Sequence, residues 1–427
     1  MKHSVELIRL NNGVEGLLID VPGANVMTFD INFRAGDYLS PTGKMDTAHV
    51  MEHLVFGANK EFKKSSTFSQ EFCKNGAYNN AYTADYHTGY LAECAEFETE
   101  RILNLLCLAI ESPLFLPSEF KAEIASVREE LKSRKNSYDT ELSLALEHSL
   151  GFIPLTYKVR AKQLDAVRLQ DVKEHYLKTH FTKNARFIIA GKITPHREAI
   201  INRLENLQLL KGRKQISLPT ETAKTLDKPL VMFHRGVDNL YYRWESAIPR
   251  IMNDNERDSL KALQDLLFNT FHSRIFGIAR ERGLLYSLFA NYYRTKDNHV
   301  WFIQGQVLPQ NIEPLFELMQ KQIAEICAGK VTDQEIDAIK LYGLGTFQRG
   351  IQTVDQLANW YSQDFEFDNS IRNFSDTPKR IKAITRVNII DAAKMLFDNT
   401  AWGLGFMGLT PGIDTVKLRS TIAKLYS

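Results

Sequence analysis

The first part of the chain alternates apolar and polar residues with the two-residue period of a strand. Residues 5–10, 14–20 and 26–33 are rich in β-branched and aromatic side chains, and Asn11-Asn12-Gly13 and Pro22-Gly23 punctuate them as turns. From Thr47 the period lengthens to that of a helix ending near residue 56, with Asp46 at the N-cap. A second helix is predicted over 66–74, then strands over 77–84 and 88–94. Helices follow over 96–111, 118–135, 140–150 and 170–179, then a strand over 186–190 and a helix over 195–204.

A polar stretch without periodicity, 211–228, has the composition of a linker, and beyond it the order of elements begins again. Strands are predicted over 230–234 and 241–246, helices over 256–268 and 273–282, and strands over 285–292 and 300–307. Helices over 312–327, 333–349, 354–365 and 387–397, a strand over 402–407 and a helix over 415–425 complete the pattern. Residues repeat as well as elements. The strand, turn and Thr-Pro of 185–195 are mirrored 216 positions later in 401–411, and Glu123-Ile124-x-x-Val127 is echoed 212 positions later by Glu335-Ile336-x-x-Ile339. A duplicated α+β chain is expected, with domains at 1–210 and 229–427, each a mostly antiparallel sheet packed with helices.

Composition narrows the function classes. The 53 basic and 51 acidic residues leave a net charge of only +2, so no basic stripe points to nucleic acid. No uncharged apolar run is long enough for a membrane span, and Met1-Lys2-His3-Ser4 leads straight into a strand rather than a secretory leader. Cys73, Cys94, Cys107 and Cys327 show no C-x-x-C spacing and are expected as reduced, mostly buried thiols in a cytoplasmic protein.

The chemistry concentrates in His49-Val50-Met51-Glu52-His53. On a helix, positions i and i+4 share a face one turn apart, so both imidazoles can reach one ion. Glu52 falls beside that ion, where it can take a proton from a water activated by zinc. A third protein ligand is needed, and the helix after Pro117 offers Glu123, Glu129 and Glu130. Glu130 is the expected ligand, with Glu129 its competitor. Glu123, two turns away on the same face as Glu130, is expected to orient a histidine or the ligand.

H-x-x-E-H is the inverted zincin motif, and with it the chain resembles the pitrilysin family, which includes insulin-degrading enzyme and the mitochondrial processing peptidases. The resemblance spans essentially the whole chain. Glu130 lies 77 positions beyond His53, close to the family's spacing, and Gly76-Ala77-Tyr78-Asn79-Asn80-Ala81 is similar to the family's substrate-pairing edge strand. Arg280-Glu281-Arg282-Gly283-Leu284-Leu285-Tyr286 resembles its Arg/Tyr segment, in which the tyrosine stabilises the developing oxyanion. Three departures stand out. Ala279 occupies the family arginine position, with Arg280 one residue away, Asp46 replaces a usual glycine, and Gly57-Ala58-Asn59 replaces Gly-Thr or Gly-Ser.

The resemblance implies a pitrilysin-like fold and a zinc endopeptidase for short or unfolded polypeptides, with Glu52 as base and Tyr286 assisting. It implies Asn80, Ala81, Arg280 and Tyr286 as substrate-binding residues. One zinc per chain is expected, because the second half lacks the motif. A homodimer, or a heterodimer with a similar chain, would complete the family's chamber around the peptide. The rival reading is a non-catalytic subunit of the same fold, or one active only beside a different chain. His87, His175, His180 and His272 have no spacing that ties them to the metal.

Overall fold

The computed structural model describes residues 1–212, 214–408 and 412–426. The chain forms two compact units. One contains Met1–Ser133, Tyr157–Pro219 and Ile351–Ile371, and the other contains Arg134–Thr156, Thr220–Gly350 and the described residues from Arg372 onward. The strands of the first unit are β1 (Ser4–Arg9), β2 (Glu15–Asp20), β3 (Val26–Phe33), β4 (Tyr78–Thr83), β5 (Thr88–Ala95) and β6 (Ala185–Gly191). Those of the second are β7 (Leu230–Phe233), β8 (Leu240–Ile248), β9 (Leu288–Arg294), β10 (His299–Val307) and β11 (Ala401–Gly408). Helices α1 (Thr47–Val55), α2 (Ser65–Cys73), α3 (Thr99–Glu111), α4 (Pro117–Arg134), α5 (Tyr138–Ser149), α6 (Tyr157–Gln163), α7 (Leu169–Thr179) and α8 (Arg197–Glu205) belong to the N-terminal half of the sequence. Helices α9 (Asp254–Leu267), α10 (Phe276–Glu281), α11 (Ile312–Cys327), α12 (Asp333–Gly350), α13 (Val354–Asp368), α14 (Thr377–Ala383), α15 (Arg386–Met395) and α16 (Thr415–Ala423) belong to the C-terminal half.

The first sheet runs β1-β2-β6-β3-β5-β4 and the second β7-β11-β8-β10-β9. Without β1 the two orders are the same, and each contains one parallel pair, β2 with β6 and β7 with β11, among antiparallel neighbours. The duplication read from the sequence is therefore a duplication of topology. It extends to backbone detail, because β6 and β11 both end in a glycine at φ 138°, Gly191 and Gly408, where a side chain would be strained. The Thr410-Pro411 part of the sequence echo lies outside the described residues.

The units do not follow the expected division at 1–210, 211–228 and 229–427. Helix α5, from the first half, packs on β8 and β11 of the second unit, and α13, from the second half, packs on β3 and β6 of the first. Strand alternation explains what each covers. Along β3, Met27, Phe29, Ile31 and Phe33 enter the apolar core under the other helices, while the buried Thr28, Asp30 and Asn32 alternate with them toward α13. Both faces are thus buried, one apolar and one polar.

Two helices lack a counterpart in the sequence pattern. No residue of α6 is buried, and only Thr377 of α14 is, so neither shows an apolar stripe. The helix expected at 273–282 begins at Phe276, and the strand expected at 285–292 begins at Leu288, leaving Tyr286 in the turn between them. Asp46 holds the N-cap position of α1, but its side chain makes no capping bond. The four cysteines are free thiols, and Cys73 is exposed rather than buried. No helix among the described residues is long and apolar enough to cross a membrane.

Candidate metal centre

Helix α1 divides its residues between two tasks. Val50, Met51, Leu54 and Val55 are buried in the core, which turns His49, Glu52 and His53 to a common opposite face. Helix α4 is anchored by Val127 and Leu131 and lays Glu119, Glu123 and Glu130 toward α1. Glu119 accepts the Ala58 N–H at 3.1 Å just beyond α1, tying the two helices together. His49, His53 and Glu130 each offer one ligand atom, and the three atoms lie within 4.8 Å of one another. Glu130 Oε2 is 3.2 Å from His49 Nε2 and 3.9 Å from His53 Nε2. A tetrahedral zinc with bonds of about 2.1 Å spaces its ligands about 3.4 Å apart, so the set fits that ion. Glu129 points elsewhere, to Lys132 at 2.6 Å.

Both imidazoles are oriented from behind. His53 Nδ1 is 2.8 Å from Glu123 Oε2, and His49 Nδ1 is 3.3 Å from Asp46 Oδ1. A ring that donates through Nδ1 presents its Nε2 lone pair, and both Nε2 atoms face Glu130. Burial opposes a charge on His49, but the Asp46 and Glu130 contacts and the Glu52 charge outweigh it and raise the metal-free imidazole to about 9. Such a ring must lose its proton for a metal to bind.

Glu52 is buried beside the pair, and burial raises its pKa, opposed by His49 and by a hydrogen bond from Thr83. Thr83 Oγ1 donates to Glu52 Oε2 at 2.7 Å. The sequence reading missed Thr83, although strand alternation could have found it, since it lies two residues beyond Ala81 on one face of β4. Asn79 and Asn80 are strand residues, Asn80 opposite Leu91 of β5, and β4 is the sheet's edge. Asn80 is exposed, while Ala81 packs against the core.

Arg280 and Tyr286 come together in the second unit. The Arg280 guanidinium lies 4.8 Å from the Tyr286 ring centroid and 6.0 Å from that of Phe271, and its Nη1 donates to the Tyr286 carbonyl at 3.2 Å. Ala279 is fully buried in the apolar core, so the position at which an arginine was expected faces inward on α10 and Arg280 takes the surface. His87, His175 and His180 are buried and His272 is exposed. Burial keeps the three buried rings neutral, His87 at about 3, and His175 donates to Ala35 O at 2.8 Å. None of the four belongs to the metal cluster.

Two imidazoles and a carboxylate around one point, with a buried second carboxylate alongside, form the donor set of a metallopeptidase centre. Residues 18–152 match the insulinase (peptidase family M16) model and 166–341 match the peptidase M16 inactive domain model. The chain belongs to peptidase family M16, the pitrilysin family. It is 21% identical to zinc protease PqqE of Helicobacter pylori over 92% of this chain and 90% of that one. The fold is similar to the crystal structure of a protease from Helicobacter pylori, with TM-score 0.82 and 20% identity over 96% of this chain and 100% of that one. It is also similar to a peptidase M16 inactive domain from Pseudomonas fluorescens, with TM-score 0.80 and 15% identity over 95% and 98%.

Proposed function

We propose that the protein is a zinc metalloendopeptidase acting on short or unfolded polypeptides. The observation that carries this reading is the convergence of His49 Nε2, His53 Nε2 and Glu130 Oε2 beside the buried carboxylate of Glu52. Those three residues would hold one zinc, whose chemistry is to polarise a carbonyl and bring the pKa of water toward neutrality. Glu52 is the general base. Its Oε2 is engaged by Thr83, so Oε1 is the atom that takes the water's proton and returns it to the leaving amine. The unpaired side of β4 offers backbone groups to an extended peptide, with Asn80 and Ala81 at the pairing positions.

Two chains are proposed to act together, identical or similar, with Arg280 and Tyr286 of one serving the substrate bound at the metal of the other. The exposed position of Tyr286, stacked by Arg280, supports that assignment. The four free thiols suit a reducing compartment, the cytoplasm.

The test is metal analysis with quenched-peptide cleavage for wild type and Glu52→Gln. One zinc per chain is expected in both, with cleavage lowered by about 10²–10⁴-fold in the variant. Equal cleavage would remove Glu52 from the mechanism. The second reading, a non-catalytic subunit, is favoured by the match of 166–341 to a domain described as inactive. It predicts a wild-type chain that binds zinc and cleaves nothing, alone or with a partner.

A further inference from the structure

We infer that Asp46 is a positioning residue for the metal, fixing His49 through Nδ1, and that Arg160 on α6 locks it in that role. The inference rests on the zinc reading above and concerns a position where the family resemblance expects glycine. Asp46 is fully buried at the N-cap of α1. A capping aspartate ordinarily has extended backbone and accepts an N–H from the first helical turn. Asp46 has φ −76° and ψ 11° and makes no such bond, because its carboxylate turns inward.

Both oxygens are committed there. Oδ1 lies 3.3 Å from His49 Nδ1 and 2.7 Å from Arg160 Nη2, and Oδ2 lies 3.1 Å from Arg160 Nε. Arg160 Nη2 also reaches Asp37 Oδ2 at 2.8 Å. The result is a chain, Asp37–Arg160–Asp46–His49, whose carboxylates and imidazole are buried and whose half-buried guanidinium grips Asp46 at two points and prevents its carboxylate from rotating. The backbone on either side is tied to the same region. Gln163, one turn beyond Arg160, accepts the Met45 N–H at 3.2 Å, and Lys44 pairs with Asp171 of α7 at 2.7 Å.

Burying a carboxylate and a guanidinium is costly, and a pair that merely joined α6 to α1 could lie at the surface. The orientation of the His49 ring gives the burial a purpose. With Nδ1–H donated to Asp46, the remaining lone pair of the neutral ring is on Nε2, which faces Glu130 at 3.2 Å. His53 receives the same service from Glu123, whose carboxylate is half-buried. The two ligands are therefore supported differently, one by a fully buried carboxylate held by Arg160 and one by a half-buried carboxylate.

The experiment is zinc affinity by competition with a chromogenic chelator, with thermal melts of the metal-free proteins alongside. The proteins are wild type, Asp46→Ala, Asp46→Asn, Arg160→Gln and a core control, Leu103→Ala on α3. Asp46→Ala is expected to bind zinc about 10–100-fold more weakly, with one site still filled at saturation. Asp46→Asn keeps an oxygen for Nδ1–H and loses less, Arg160→Gln also weakens binding, and Leu103→Ala keeps wild-type affinity despite its lower melting temperature. Wild-type affinity in both Asp46 variants overturns the inference. So does a loss of affinity that follows melting temperature through all the variants, Leu103→Ala included. A wild-type chain that binds no zinc at all overturns the metal reading instead, so the two failures are distinguishable.

Discussion

At the scale of single residues, the proposed general base is the group whose surroundings matter most. Glu52 is held between burial, which favours its neutral acid, and the His49 and Thr83 contacts, which favour its anion. A hydrogen bond to a charged group is worth roughly 1.5–3 kcal/mol, so Thr83→Val is expected to lower kcat by about 10–100-fold. KM and zinc content should stay near wild type, and Thr83→Ser should recover most of the loss. A Thr83→Val enzyme with wild-type kcat would show that Glu52 holds its position unaided. This contact also marks where the sequence ceases to speak. His49, Glu52 and His53 are legible because helical spacing alone puts them together, and Glu123 and Glu130 because they recur on one helical face. The choice of Glu130 over Glu129 needed the phase of α4, which Val127 and Leu131 set by entering the core. Arg160 could not be found, since α6 buries none of its residues and leaves no apolar stripe.

Among the elements, the exchanged helices α5 and α13 were legible as helices but not as exchanged, because periodicity shows that a helix has an inner face and not which sheet receives it. The polar residues of β3 would face solvent in an isolated sheet, and α13 instead closes over them. Beneath it, Tyr82 Oη lies 3.2 Å from Asp30 Oδ2 and 3.5 Å from Glu366 Oε1. One phenolic proton cannot serve two carboxylates at once, so the pair is best satisfied when one carboxyl is protonated. Burial raises both, Asp30 to about 7 and Glu366 to about 8, with mutual repulsion adding to the effect on Glu366. In the unfolded chain both titrate near about 4. The folded state therefore holds protons that the unfolded state has released. The pair's contribution to stability is full below about pH 4 and is lost as pH rises through about 7 to 8, a change on the order of a few kcal/mol. Urea denaturation at steps from pH 4 to 8.5 should show stability falling more steeply in wild type than in Asp30→Asn or Glu366→Gln. Parallel curves for all three would mean that the carboxyls titrate normally.

For the whole molecule, the duplicated design distributes the proposed chemistry unevenly. One unit carries the proposed metal ligands, Glu52 and the edge strand β4, while the other carries Arg280 and Tyr286. Tyr286 is 79% exposed, with its backbone carbonyl held by Arg280 and its ring under the guanidinium. A tyrosine so placed loses little conformational freedom when a substrate or a second chain reaches it, which suits a residue that acts across an interface. If it acts across a two-fold dimer, the Glu52→Gln and Tyr286→Phe proteins have complementary defects. In a mixed dimer one site combines both lesions, while the other joins an intact Glu52 to an intact Tyr286. An equimolar mixture that exchanges subunits freely puts half of the chains into mixed dimers, with one good site in two, so about a quarter of wild-type activity should return. Each variant measured alone should stay far below that level, and the recovery should appear at the rate of subunit exchange. Activity that never exceeds the sum of the separate variants, with exchange verified by mass-tagged subunits, would place Tyr286 on its own chain's substrate or outside the reaction.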